Sequence, residues 1–106
     1  MTTQKPPSGL SAPGAALWAA ITSEYELAQH ELAVLLEACR TVDVLQQLDD
    51  LVRTDGVTNT SPQGVRAHPA LVEARQQRLT LAKLFAALAI PADVDTAARG
   101  RLKVAR

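Results

Sequence analysis

The residues of this chain that could do chemistry are few and widely spaced. His30 and His68 are the only histidines and Cys39 the only cysteine. The two histidines fall on separate elements, without a carboxylate or thiol companion at metal-ligand spacing, so no metal site is expected. One cysteine excludes an intrachain disulfide and a multi-cysteine zinc site, and fits a reducing compartment. Cys39 also lies on an apolar seam among Leu35, Leu36 and Val42. There it acts as a small buried hydrophobe, and apolar burial raises a thiol pKa rather than making a nucleophile. The paired acids Asp49 and Asp50 are adjacent on a helix and point apart, which is poor geometry for shared acid–base work. No Gly-rich phosphate loop and no His-Glu-x-x-His run occurs. No catalytic constellation and no cofactor is expected.

Binding chemistry is better represented. Arg99, Arg101, Lys103 and Arg106 form a basic tail able to neutralise phosphates through sequence-blind, salt-sensitive contacts. Four such charges per copy give weak binding, but repetition around an oligomer multiplies it by about 10²–10⁴ where geometry allows. A solubilising tail explains the same residues equally well. Lys plus Arg number 11 and Asp plus Glu number 11, so the formal net charge is zero. That balance excludes the strongly basic face of a stand-alone nucleic-acid clamp. The charges are nevertheless zoned. Residues 24–53 carry seven carboxylates against Arg40 and Arg53, and residues 69–106 carry seven cations against Glu73, Asp93 and Asp95. This zoning favours antiparallel pairing of an acidic and a basic helix, within one chain or between copies. Ordinary solvated faces are the plainer alternative.

The elements that must carry these residues are helical. Hydrophobic residues make up 47% and charged residues 21%, which excludes wholesale disorder. Trp18, Tyr25 and Phe85 are the only aromatics, and a core of Leu, Val and Ala suits helix-on-helix packing. Residues 1–10 hold little to bury and are expected to form a disordered or extended N-terminal arm. A short first helix is expected from about Ala12 to Tyr25, with Ser11 as N-cap, Pro13 in the first turn and Leu17, Trp18 and Ile21 inward. Gly14 weakens it. A second helix is expected from about Ala28 to Val52. Its seam of Leu32, Leu35, Cys39, Val42, Leu45, Leu48 and Val52 repeats at three- and four-residue steps, widened by Leu36, Val44 and Leu51. Such a helix is on the order of 35 Å long, and Gly56 is free to end it with a positive φ.

Residues 56–68 are expected to form a loose β-hairpin or an extended loop around a Pro- and Gly-containing centre. Helix restarts at His68-Pro69 and runs to about Ala89, before Pro91. Its second half, with Leu79, Leu81, Leu84, Phe85, Leu88 and Ile90, is apolar around most of its circumference and demands more than one neighbour. Residues 11–91 are thus expected to be one helical oligomerisation domain and 92–106 a flexible basic tail. Leu35, Val42, Leu45, Leu81, Leu84, Phe85 and Leu88 are the expected oligomerisation contacts. No run approaches the roughly 20 apolar residues of a membrane span, and residues 1–9 lack the apolar region of a secretory signal. A cytoplasmic protein without membrane contact is expected.

The order of these signals resembles the small subunits of tailed-phage terminases. The matching stretch begins at Leu10-Ser11-Ala12-Pro13-Gly14-Ala15-Ala16-Leu17-Trp18 and passes through Tyr25-Glu26-Leu27 to the Leu-rich helix with Glu37-Ala38-Cys39-Arg40. It continues through the Asp55-Gly56 turn, the Val65-Arg66-Ala67-His68-Pro69-Ala70 restart and Glu73-Ala74-Arg75, and closes at Ile90-Pro91. The His-Pro-Ala restart before a Glu-x-Arg helix is its most specific piece. The resemblance implies an all-α fold: a short N-terminal helix and a long antiparallel helical hairpin, with a loop or small β-hairpin between the long helices, assembled as a homo-oligomeric ring. It also implies a non-catalytic DNA-packaging factor that binds double-stranded viral DNA in the cytoplasm of the infected bacterial host. That factor delivers the DNA to the large terminase subunit, which owns the ATPase and nuclease. Many members carry a separate N-terminal helix-turn-helix domain, whereas residues 1–27 offer one short helix and a single basic residue, Lys5. DNA contact therefore falls to Arg99, Arg101, Lys103 and Arg106, with Arg66. The alternative is a helical adaptor or scaffold protein that acts through helix–helix contacts and never touches DNA.

Overall fold

The computed structural model describes residues 5–61 and 64–89. Within them the fold is mostly helical: α1 (Ala12–Glu24), α2 (Gln29–Asp55), strands β1 (Thr58–Ser61) and β2 (Gly64–Ala67), and α3 (Pro69–Leu88).

α1 begins at Pro13's favoured place in the first turn and ends one residue before the expected Tyr25. The chain turns extended there because alternation buries Tyr25 and Leu27 while Glu26 and Ala28 face water. α2 then starts with Glu31 reaching back to accept from the Ala28 N–H at 2.9 Å. Ala28 has no side-chain acceptor to return the bond, so only half of a capping box forms. α2 runs three residues past the expected Val52, since nothing in Arg53-Thr54-Asp55 breaks a helix. It stops at Gly56, whose φ of 90° and N–H donated to the Val52 carbonyl at 2.7 Å close the last turn.

Two paired strands resolve the choice between hairpin and loop. β1 and β2 pair antiparallel, with Thr58 opposite Ala67 and Ser61 opposite Gly64. The His68 N–H donates to the Val57 carbonyl at 2.9 Å and ties the hairpin to the start of α3. α3 ends with Ala89 in the left-handed region at φ 59°.

The core lies where three helices meet. Trp18, Tyr25, Leu27, Leu35, Cys39 and Leu88 form one buried cluster, with Leu17, Ile21, Leu32 and Leu36 packed against it. Away from this end, α2 and α3 continue side by side and in opposite senses. Asp55 meets His68 at 2.9 Å near the β-hairpin, and Asp49 meets Arg78 at 3.2 Å further along. Ala38 on α2 and Ala70 and Ala74 on α3 are buried as well.

Candidate DNA and subunit contact surfaces

The most closely built polar feature joins α1 to α2. Asp43 is 8% exposed, and its two carboxylate oxygens accept from the Gly14 N–H at 2.7 Å and the Ser11 N–H at 2.8 Å. Ser11 occupies the N-cap position, but its hydroxyl makes no capping bond. The expected Ser11 cap is therefore corrected: one carboxylate from the neighbouring helix performs both halves of a capping box, at the end of α1 where negative charge is favoured. Gly14 is what permits the approach. A Cβ there would stand 2.6 Å from Asp43 Oδ2 and 2.7 Å from the Cys39 carbonyl oxygen. The glycine that weakens α1 as an isolated helix is the residue that docks it. The sequence held one signal for this, an acid at i+4 from Cys39 and i+8 from Leu35, on the face otherwise given to the core.

Cys39 is fully buried beside this cap. Burial pushes its thiol from an ordinary 9.0 up to about 11, and the Asp43 carboxylate adds to the effect. The side chain fills space, and thiolate chemistry is suppressed.

His68 is the N-cap of α3, as its place before Pro69 suggested. Its Nδ1 accepts from the Ala70 N–H at 2.9 Å, which leaves Nε2–H to donate to Asp55 Oδ2 at 2.9 Å. Asp55 is thus a hydrogen-bonding carboxylate partner for His68 that the spacing in the sequence did not show. Asp55 lies thirteen residues away in sequence, and the intervening β-hairpin brings the two together. The pair clamps both feet of that hairpin, and no group of three or more potential metal ligands occurs among the described residues. None of the helices described is long and apolar enough to cross a membrane.

The DNA-contact candidates divide. Arg66 lies on β2, exposed and opposite Asn59. Arg99, Arg101, Lys103 and Arg106 lie outside the described residues. The oligomerisation candidates divide as well. Leu35 and Leu88 are 0% exposed and fill this chain's own core, so they are not free to meet another copy. Val42, Leu45, Leu81, Leu84 and Phe85 are half-buried. The uncovered apolar surface sits elsewhere: Val44 and Leu51 on α2, Val72 and Leu79 on α3, and Val57 and Val65 at the β-hairpin are all exposed. The sequence showed Val44 and Leu51 only as flanks of the α2 seam, because periodicity does not tell which side of a broad stripe a neighbour covers.

Charge zoning has a visible consequence at Asp49 and Arg78, the one ion pair between α2 and α3 other than that of His68 among the described residues. Both partners are about half exposed, so the pair contributes little to stability. Comparison with protein-family models, with curated proteins and with solved structures finds no match to this chain.

Proposed function

We propose that this chain is a terminase small subunit, a non-catalytic DNA-packaging factor. Its protomer is a helical hairpin with a short N-terminal helix, and it works as a homo-oligomeric ring. The ring binds viral double-stranded DNA through many individually weak phosphate contacts, from Arg99, Arg101, Lys103 and Arg106 with Arg66. It engages the large terminase subunit, the ATPase and nuclease of the packaging motor, in the cytoplasm of the infected host. The ordered resemblance from Leu10 to Pro91 supports the family. The observation that supports the collective mode of action is the exposure of Val44, Leu51, Val72 and Leu79 along the two long helices.

Light scattering and a DNA mobility shift test the reading together. The full chain is expected to be oligomeric at micromolar concentration. Its DNA binding should weaken as salt rises and weaken again when the chain is cut after Ala98. A stable monomer overturns the ring. A second reading, a helical adaptor that binds no DNA, is favoured by the zero net charge. An assembled protein with no salt-dependent shift would establish it instead.

A further inference from the structure

The His-Pro-Ala piece at residues 68–70 makes the first turn of α3 depend on one imidazole. Pro69 has no N–H to satisfy. The Leu71 and Val72 N–H groups both donate to the His68 carbonyl, at 2.9 and 3.3 Å. That leaves Ala70, a buried residue whose N–H reaches only His68 Nδ1, at 2.9 Å, among the described residues. A backbone N–H can only donate, so Nδ1 must offer its lone pair and the neutral ring must hold its proton on Nε2. Nε2–H in turn meets Asp55 Oδ2, 2.9 Å away on the last turn of α2. In this one protonation state the ring bridges two long helices.

A second proton breaks one of these bonds and keeps the other. The imidazolium donates from both nitrogens, so Nδ1–H would face the Ala70 N–H donor to donor, and that bond is lost. The bond from Nε2–H to the Asp55 carboxylate persists as a charge-assisted pair. The electrostatic surroundings are mixed, with the positive end of the α3 dipole at Nδ1 and the Asp55 carboxylate at Nε2. Asp55 is the one charged group bonded to the ring among the described residues. Arg66 stands two residues earlier on exposed β2, and Glu73 on α3 bonds to Gln77 instead, at 2.8 Å.

We propose that His68 is a proton-operated joint between α2 and α3. With a neutral ring it caps α3 and ties it to Asp55. On protonation it stays with Asp55 and releases the first turn of α3. The freed Ala70 N–H then needs a water or a shifted turn, because a buried donor left unpaired is costly. The change falls between about pH 8 and pH 5, the range in which a histidine changes charge. It is local: the buried cluster of Trp18, Leu35 and Leu88 lies at the other end of α3.

Nuclear magnetic resonance on the full chain tests this, with exposed His30 as the internal control. At about pH 8 the His68 ring nitrogens should show the Nε2–H tautomer. On going to about pH 5 the Ala70 amide proton should move upfield in step with the His68 ring and not with that of His30. Its protection from exchange, corrected for the intrinsic rate, should fall about fivefold, the equivalent of a lost N-cap. His68→Asn supplies an acceptor that does not titrate, so the step should vanish. Asp55→Asn should keep the step, since the amide depends on Nδ1 and not on the partner of Nε2. An Nδ1–H tautomer at the higher pH, or an Ala70 amide that does not follow His68, would overturn the joint. So would a step that survives His68→Asn or disappears in Asp55→Asn. The first two readings need no substitution, so a variant that fails to fold does not shield the proposal.

Discussion

Asp43 caps α1 across the gap between two helices, and Gly14 is the position that lets it in. The carboxylate takes the N–H of Gly14 at 2.7 Å inside a contact where a Cβ would stand 2.6 Å from Asp43 Oδ2. A flexible side chain could swing away from such a Cβ, but the Cys39 carbonyl at 2.7 Å belongs to the backbone of α2. Docking of α1 therefore depends on a missing side chain and on one acid together.

Gly14→Ala is expected to destabilise the chain by about 1–3 kcal/mol, the range for overpacking a tight contact, despite the higher helix propensity of alanine. Asp43→Ala should cost about 2–3 kcal/mol by stranding two backbone donors, one of them buried. Urea titration followed by Trp18 fluorescence reads both. A Gly14→Ala midpoint equal to or above that of the unsubstituted chain would show that α1 is not held by this contact.

The Cys39 thiol gives a pH dependence of known sign. An unfolded chain releases this proton near 9.0 and the native chain only near 11. Between those values the unfolded state holds fewer protons, so stability is complete below pH 9 and declines as pH rises towards 11. The full difference is about 2–3 kcal/mol. Cys39→Ala should be less stable at pH 8 because of the cavity, yet should lose less on going to pH 11. Equal losses in the two proteins would remove the thiol from the account.

His68→Ala should cost about 1 kcal/mol through loss of the α3 cap, while His68→Asn, which keeps a capping acceptor, should recover most of it. Asp55→Ala should cost less, since that carboxylate is half exposed. The readout is thermal unfolding. If His68→Asn is as damaging as His68→Ala, the Ala70 N–H is not the partner that matters.

Leu88 and Leu79, both on α3, should behave as opposites. Leu88 is fully buried and Leu79 is 56% exposed. Leu88→Ala is expected to cost about 2–4 kcal/mol in unfolding free energy, by cavity formation. Leu79→Ala should change the intrinsic stability of a dilute protomer by about 0.5 kcal/mol or less and act on assembled mass instead. Similar unfolding penalties for the two would place Leu79 in the protomer core.

Ala89 pays the strain of a left-handed conformation at the end of α3. Ala89→Gly should therefore stabilise by about 0.5–1 kcal/mol, measured by the same urea titration. A destabilising result would mean that this terminus does not hold its φ of 59° in solution.

Local signals alone determined the three helices, the glycine stop at residue 56, the His68-Pro69 restart and the burial of Cys39, because capping chemistry and a 3.6-residue repeat act within a few neighbouring residues. What only the tertiary structure decided has one physical cause: it requires residues far apart in the chain to be brought close. Periodicity gave α2 and α3 their apolar stripes but not the neighbour each stripe meets, so Leu35 and Leu88 turned inward while Val44, Leu51, Val72 and Leu79 remained in water. Asp43 read as one more charge on an acidic helix until α1 lay across it. Asp55 and His68 became partners only when a β-hairpin folded back between them.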